Sequence, residues 1–210
     1  MFLIGLTGSI GMGKSATGKM FAARGVPVHD ADAEVHRLYE TDAVPLIGEA
    51  FPGTVIDGRV DRSELSKAVL GDDAAMKRLE SIVHPLVRAA DIAFLDRADA
   101  EGRAFAVAEV PLLFETGGDV RADAVVLASA PADVQRERVL ARPDMTEEKF
   151  ASILARQMSD AEKRRLAHFV VDTSRGFAAA EKQVDDILRA LAGCPGAAYA
   201  RRKRALAAAR

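Results

Sequence analysis

Four residues near the amino terminus, Gly8, Gly13, Lys14 and Ser15, stand at the spacing G-x-x-x-x-G-K-S. Glycines let a backbone turn tightly and bring its N–H groups close to phosphate oxygens. The helix expected after such a loop would present its positive amino end to the same anion. Lys14 would place a charge on the β- and γ-phosphates, and the Ser15 hydroxyl would ligate Mg²⁺. The spacing therefore predicts a nucleotide site with Ser15 as the metal ligand.

A loop of this kind needs a strand before it and a helix after it. The run FLIGLT at 2–7 predicts the strand, and SATGKMFAAR at 15–24 predicts a helix that Gly25 stops. The four fixed positions alone would match by chance in roughly one chain of this length in a hundred. The alternative, a glycine-rich turn with a surface lysine, is therefore the weaker interpretation.

Apolar runs predict the sheet that positions the loop. Besides 2–7, they are VPVHD (26–30), RAFAVAEV (103–110), DAVVLAS (123–129) and HFVVD (168–172). Such runs are typical of strands buried on both faces of a parallel sheet covered by helices. We therefore predict an α/β fold with a five-stranded parallel sheet in three layers. Ligands of such sheets collect beyond the carboxyl ends of the strands, where we expect Asp30, Asp32 and Glu115 to point.

Two long polar segments interrupt the alternation of strands and helices in this 210-residue chain. Residues 33–102 show helical patterns and no convincing strand, and Pro85 is expected to kink or divide the longest helix. This segment is too long for an ordinary connection, so it predicts a helical subdomain. The second segment, 132–166, is rich in arginine. A final helix is expected at about 177–192, before a basic tail over 193–210 that we interpret as a solvated end.

Composition limits the classes of function. A chain of 210 residues with 49% apolar residues and a net charge of −2 fits one globular domain without a broad nucleic-acid surface. The single Cys194 permits no internal disulfide, and no apolar run approaches the ~20 residues of a membrane helix. No basic segment precedes the first apolar run, so no signal peptide is expected. We expect a cytoplasmic monomer without a nucleic-acid or membrane partner.

A phosphate loop alone does not separate GTPases, motor ATPases and small-molecule kinases. The guanine-reading tetrapeptide N-K-x-D does not occur in the sequence. A helical insertion and an arginine-rich segment favour a kinase with an acceptor-binding subdomain and a lid, because lid arginines neutralise charge on the moving phosphoryl group and exclude water. Asp30 and Asp32 follow the second strand and share a face if the strand continues that far. One could accept the acceptor proton, and the alternative, mainly for Asp30, is a helix N-cap.

Taken together, these motifs resemble the dephospho-coenzyme A kinase family over about residues 2–190. The resemblance rests on IGLTGSIGMGKS, VHDAD, VDRSELSKAVL, LESIVHPLVR and EVPLLFETG, and on the Q-x-x-R-x-x-x-R of Gln135, Arg138 and Arg142. It implies transfer of the γ-phosphoryl group of ATP to the 3′-hydroxyl of dephospho-CoA, the last step of coenzyme A synthesis. The alternatives are a kinase for a nucleoside monophosphate or another small alcohol, and a nucleotide-dependent switch or assembly ATPase.

The resemblance also implies roles for single residues on the nucleotide side. It places the ATP phosphates on the loop residues Gly8, Gly11, Met12, Gly13, Lys14, Ser15 and Ala16. Asp32 matches the family's base and Arg142 a lid arginine, so Asp32, Lys14 and Arg142 are the candidate catalytic residues. Three positions depart from the family pattern: Glu109 and His168 stand where Asp is common, and Thr173 where Asn is common.

On the acceptor side, the resemblance implies that dephospho-CoA meets Asp32, His84, Arg88, Leu113 and Glu115. His84 has the alternative of a structural histidine at a helix end. Glu115 has the alternative of a charge at a helix amino terminus. A zinc site built from the four histidines has no usable ligand spacing.

Overall fold

The computed structural model describes residues 1–208. Its strands are β1 Phe2–Thr7, β2 Val28–Asp30, β3 Val55–Ile56, β4 Arg59–Val60, β5 Phe105–Glu109, β6 Ala124–Ser129 and β7 Phe169–Asp172. Its α-helices are α1 Lys14–Ala23, α2 Ala31–Leu38, α3 Ala43–Ala50, α4 Arg62–Val69, α5 Asp73–Ala100, α6 Ala132–Leu140, α7 Glu147–Leu154, α8 Asp160–Leu166, α9 Phe177–Leu191 and α10 Ala198–Ala208. A 3-10 helix spans Asp119–Arg121.

The five longer strands form one parallel sheet in the order β2-β5-β1-β6-β7. The predicted five-stranded parallel sheet is therefore confirmed. In the central strand β1 every residue is buried, and alternate side chains pack in the two cores on opposite faces of the sheet. Ile4 and Leu6 pack with residues of α1 and α9, whereas Leu3 packs with residues of α5 and α10. Helices on both faces of the sheet give the three layers that the strand pattern predicts.

Helices α2 to α5 form a separate cluster around their own apolar core, which includes Leu38, Ile47, Leu65 and Val83. Each of α2, α4 and α5 begins after an aspartate whose carboxylate accepts two backbone N–H groups. These caps satisfy amides that a helix start leaves without partners.

The prediction of no strand in 33–102 is wrong, because β3 and β4 form a small antiparallel hairpin. Its turn is Asp57-Gly58, with φ of +50° and +74°. Positive φ at both positions fits a type I′ turn, for which Asp-Gly is a favoured pair. This dipeptide was the sequence signal for the hairpin, and α3 was also missed.

Pro85 does not divide α5, which continues over 28 residues. A proline inside a helix costs about 3 kcal/mol through its lost hydrogen bond and its ring clash. The helix packs along two cores, with Val83 in the helical cluster and Leu95 and Ala98 against the sheet. Burying the Val83 and Leu95 side chains contributes roughly 1.5–3 kcal/mol each. This gain offsets the cost of the proline.

The basic tail forms helix α10 and is not a wholly solvated end, so that interpretation is wrong for residues 198–208. Ala198 is buried against the sheet. The Asp123 carboxylate accepts the amides of Ala197 and Ala198 at 2.8 and 2.7 Å. The last two residues of the predicted tail lie outside the described part of the chain.

Candidate active site

The loop between β1 and α1 has the backbone that its glycines predict. Gly11 and Gly13 have φ of +76° and +87°, a region that other residues rarely adopt. A Cβ on Gly11 would lie 2.5 Å from Val139 Cγ2, and one on Gly13 would lie 2.9 Å from Thr173 Cγ2. Helix α1 begins directly at Lys14, so its positive amino end faces the loop.

A cavity of about 690 Å³ opens above this loop. Its size suits a small-molecule site. Eight of the predicted site residues line it: Gly8, Gly11, Gly13, Lys14, Ser15, Ala16, Asp32 and Arg142. Residues from the phosphate loop, the start of α2 and the turn after α6 thus meet at the carboxyl edge of the sheet.

Met12, predicted among the phosphate-binding residues, does not line the cavity. Its side chain is buried, and its sulfur accepts the amide of Ala130 at 3.1 Å. Its own amide donates to the Ser9 carbonyl at 3.1 Å. The structure shows the Met12 side chain fixing the loop to the residue after β6, and a main-chain contact from Met12 to phosphate stays a prediction.

Lys14 is paired with a carboxylate that was left out of the predicted site residues. Its Nζ lies 2.6 Å from Oε1 of Glu109, at the end of β5, and both side chains are largely buried. Gly18 leaves room for this carboxylate, since a Cβ there would lie 2.6 Å from Glu109 Oε2. The pair directs the ammonium across the carboxyl edge of the sheet. The sequence signal was an acidic residue at the end of an apolar strand.

The loop is also bonded to the segment between β6 and β7. The amide of Ile10 donates to Gln157 Oε1 at 3.2 Å, and Gln135 Nε2 donates to the Ile10 carbonyl at 2.7 Å. Gln135 lies on α6 and Gln157 lies between α7 and α8. Two glutamines, one on α6 and one in the connection before α8, therefore hold the backbone N–H and C=O of one loop residue.

A buried lysine completes this anchor. Lys163 on α8 has no exposed surface, and its Nζ donates to Ser9 Oγ at 3.2 Å and lies 2.9 Å from Glu115 Oε1. Glu115 also accepts the amide of Met158 at 2.8 Å. Burial raises the pKa of the Glu115 carboxyl, but the bonds from Lys163 and Met158 outweigh it and leave the pKa below its ordinary value.

The structure places the Glu115 carboxylate at the amino end of α8, because its Oε1 accepts the amide of Met158, the residue before the N-cap Ser159, and pairs with Lys163. Its Oε2 is buried without a hydrogen-bond partner in the described residues, and Glu115 does not line the cavity at the loop. A substrate contact from Glu115 stays a prediction. The contacts of Glu115 join the segment after β5 to α8 and, through Lys163, to Ser9 of the loop. The residue therefore supports the shape of the phosphate loop.

Arg138 is a second residue that the predicted site residues did not include. It lines the loop cavity beside Arg142. Its guanidinium donates to Oγ1 and to the carbonyl of Thr173 at 2.9 and 2.7 Å. Thr173 Oγ1 in turn donates to the Met12 carbonyl at 2.9 Å. The signal was the Q-x-x-R-x-x-x-R spacing, which puts Arg138 on α6 and Arg142 two residues after that helix ends.

The two aspartates after β2 have different positions. The strand ends at Asp30, so the condition for the two carboxylates to share a strand face, that the strand continue to Asp32, is not met. Asp30 is the N-cap of α2 and accepts the amides of Asp32 and Ala33 at 2.9 and 3.1 Å. Asp32 lies in the first turn of α2 with an exposed side chain. It lines both the loop cavity and a neighbouring cavity of about 440 Å³ that includes Arg156.

The remaining predicted acceptor residues do not meet at this edge. Leu113 is 2% exposed and packs with Phe114 and Val125, so its predicted substrate contact is not supported. His84 is exposed in the middle of α5, and the alternative of a helix-end histidine is therefore wrong. Arg88 lines a different cavity, beside α10.

The loop also fits a magnesium ion. Ser15 is exposed at the cavity and Asp32 lines the same space, so hydroxyl and carboxylate oxygens are available. Residues 1–208 contain no group of three metal-ligating side chains. Few protein ligands suit Mg²⁺, which keeps several waters and is commonly held together with substrate phosphates.

A parallel sheet with a phosphate loop after its first strand, a helical insertion after its second and an arginine-bearing segment before its last defines a P-loop kinase. In residues 1–208, no helix has both the length and the apolar character needed to cross a membrane.

Comparisons with known proteins specify the kinase further. The family model described as dephospho-CoA kinase matches residues 2–179. A dephospho-CoA kinase of Mesorhizobium japonicum is 61% identical over 196 residues, 93% of this chain and 100% of the relative. A solved Thermus thermophilus structure is 32% identical with a TM-score of 0.79, covering 93% of this chain and 98% of the other. The chain therefore belongs to the dephospho-CoA kinase family.

A more distant structure supports the fold alone. The dephospho-CoA kinase from Campylobacter jejuni is 23% identical, with a TM-score of 0.60 over 90% of this chain and 96% of that one.

Proposed function

We propose that this protein transfers the γ-phosphoryl group of ATP to the 3′-hydroxyl of dephospho-CoA, giving CoA and ADP. Family membership supports dephospho-CoA as the substrate and coenzyme A biosynthesis as the process. The observation that carries the proposal within the site is Asp32, which lines both the phosphate-loop cavity and its neighbour. A phosphoryl donor in the first cavity and an acceptor in the second would meet beside this carboxylate.

On the donor side, we assign the triphosphate to the amides of the loop and to the amino end of α1. Phosphoryl transfer depends mainly on positioning in line and on neutralising charge. Lys14 supplies an ammonium to the β- and γ-phosphates, and Glu109 holds that side chain at the carboxyl edge of the sheet. The bonds from Gln135, Gln157 and Lys163 hold the loop in shape before the nucleotide arrives.

On the acceptor side, Asp32 orients the attacking hydroxyl and takes its proton. A free carboxylate is a weak base for an alcohol, but a loose transition state needs orientation more than early deprotonation. Asp32 suits this role because its side chain is exposed in the first turn of α2, whereas Asp30 is committed to capping that helix.

Arginines of the segment 132–166 neutralise the moving phosphoryl group. Arg142 is exposed at the cavity in the turn after α6, so it is free to approach phosphate oxygens, and Arg138 on α6 lines the same cavity. Guanidinium groups match phosphate geometry with two parallel hydrogen bonds. We propose that this segment is the lid and that the insertion 33–102 forms the acceptor-binding subdomain, with His84 and Arg88 on its surface.

The residues that would hold Mg²⁺ are Ser15 and, through water, Asp32. When bound, the ion would supply positive charge that offsets the negative charge of the phosphate groups. A cytoplasmic location, a monomeric state and the lack of a nucleic-acid partner stay predictions from the sequence.

The test is an acceptor screen with the purified full chain. ADP release is measured with Mg²⁺–ATP and either dephospho-CoA, AMP, CMP or shikimate, and the product is checked for a 3′-phosphate. We expect turnover with dephospho-CoA at least a hundredfold above the others. A folded Lys14→Ala variant controls for contaminating kinases. Preference for AMP or CMP would replace the proposal by a nucleoside monophosphate kinase, and hydrolysis without any acceptor would favour a nucleotide-dependent switch.

A further inference from the structure

A third cavity, of about 430 Å³, lies between α5, the 3-10 helix and α10. It shares no lining residue with the two cavities that meet at Asp32. Its lining contains four arginines: Arg88, Arg121, Arg201 and Arg202. We propose that this cavity binds a small molecule that carries two or more phosphate groups and an apolar body.

The positive charge of this lining is only partly neutralised. Arg202 Nη1 lies 3.4 Å from Asp91, which is the one acidic residue among the described lining residues. Arg201 reaches Asp123, outside the lining, at 3.8 Å. The other two arginines form no ion pair with any part of residues 1–208. Because like charges held close together repel, a bound polyanion would stabilise this arrangement.

Arg202 is a largely buried arginine of this cavity. Its side chain is 14% exposed. Burial lowers the pKa of this guanidinium below its ordinary value, since the charged form has lost water. Its Nε donates to the Arg121 carbonyl at 3.0 Å. The remaining N–H groups of the cavity's guanidiniums have the planar, forked geometry that binds phosphate bidentately.

The apolar part of the lining indicates that the ligand is larger than an inorganic anion. Ile92, Val120 and Leu206 contribute to it, and Val120 is 71% exposed. The volume of about 430 Å³ falls in the range of pockets for small organic ligands. An organic molecule with phosphate groups would cover these side chains and meet the arginines at once.

The site depends on a part of the chain that the family match does not include. The family model ends at residue 179, whereas Arg201 and Arg202 lie on α10. Arg88, on α5, was predicted to face the acceptor, so the experiment has to separate a distinct site from an extension of the acceptor site.

The probes are CoA, ATP and inorganic pyrophosphate, added to the full chain saturated with Mg²⁺–ADP. Binding is measured by isothermal titration calorimetry for the wild type and for the double variant Arg121→Gln, Arg201→Gln. We expect CoA or ATP to bind the wild type and pyrophosphate to bind more weakly. The double variant should lose at least tenfold in affinity, equivalent to about 1.4 kcal/mol. Arg204→Gln is the matched control, because Arg204 is exposed on α10 and does not line the cavity.

A second variant tests the cavity without removing charge. Ala205 lines it and is exposed on α10, so Ala205→Phe should fill the apolar part and leave the melting temperature near that of the wild type. We expect this substitution to lower the affinity for CoA or ATP at least fivefold and the affinity for pyrophosphate by less. Loss of CoA binding with retained ATP binding, or the reverse, identifies which phosphorylated molecule the site takes.

Two results would overturn the proposal. One is equal affinity of the wild type and the double variant for all three probes. The other is a rise in the KM for dephospho-CoA in the double variant that matches its loss of CoA affinity, because the cavity would then belong to the acceptor site. An unchanged KM with weakened probe binding supports a separate site.

Discussion

The donor and acceptor sides of the candidate site are built differently. Around the phosphate loop, polar side chains are already bonded to one another: Lys14 to Glu109, Gln135 and Gln157 to Ile10, and Lys163 to Ser9 and Glu115. On the acceptor side, Asp32, His84 and Arg156 are exposed. The donor half is therefore preorganised by the fold, and the acceptor half presents side chains that substrate itself must order.

Removing the charge of the loop should give the largest effect. Lys14→Ala is expected to lower kcat by about 10³-fold, because charge stabilisation of this kind in a water-excluded site is worth several kcal/mol. The variant also leaves the buried Glu109 carboxylate without its partner, so we expect it to fold with a stability lower by about 3–5 kcal/mol. Steady-state ADP release and circular dichroism provide the measurement. Near-normal turnover in a folded variant would contradict the donor-site assignment.

The acceptor side is tested by Asp32→Asn, which keeps the size of the side chain. We expect kcat to fall about 10²-fold, in the range for a lost proton acceptor, with a smaller rise in the KM for ATP. Asp30→Asn is the control, because that residue caps α2 and asparagine caps helices about as well as aspartate. A rise in the KM for ATP larger than the fall in kcat would make Asp32 a nucleotide ligand.

The buried pair of Lys163 and Glu115 tests the donor side through the free energy of unfolding. Lys163→Met leaves the Glu115 carboxylate without its partner, and breaking a buried pair from one side costs about 3–5 kcal/mol in the free energy of unfolding. We also expect the KM for ATP to rise by a larger factor than the KM for dephospho-CoA, because Ser9 of the phosphate loop loses its hydrogen bond from Lys163. Urea unfolding and kinetics report the two effects.

Lys67→Met is the matched control for that variant, since Lys67 pairs with Glu64 on an exposed helix surface and should show no measurable loss. The double variant Lys163→Met, Glu115→Gln should recover part of the stability. If Lys163→Met were as stable as the control, the anchor would have no energetic role.

The smallest expected effect is a pH dependence from Glu115. Its pKa is lower in the folded protein than its ordinary value of 4.5, so its contribution is present above about pH 4.5 and is lost as the pH falls through the folded pKa. The stability difference between wild type and Glu115→Gln should therefore shrink on acidification. Urea unfolding between pH 7 and pH 3 measures it. A constant difference would show that the carboxylate charge is not what Lys163 requires.

Local sequence patterns gave a large part of the fold. Five apolar runs predicted the five strands of the main sheet, and the phosphate loop and α1 followed from glycine spacing and a helical pattern. The loop residues, Asp32 and Arg142 were predicted and are found around one cavity. The side chains of Leu113 and Met12, both named in the predicted site, are buried, because a motif identifies a segment and not the direction of each of its side chains.

The sequence by itself determined the strands, the turn glycines and the chemistry of the loop, since strand periodicity and backbone freedom are local properties of the chain. The tertiary structure alone decided which side chains hold that loop. Glu109 stands 95 residues from Lys14, and Lys163 stands 154 residues from Ser9. It also decided that the basic tail packs as a helix beside a cavity. Pairings at such separations depend on how the elements pack, and no local pattern encodes that.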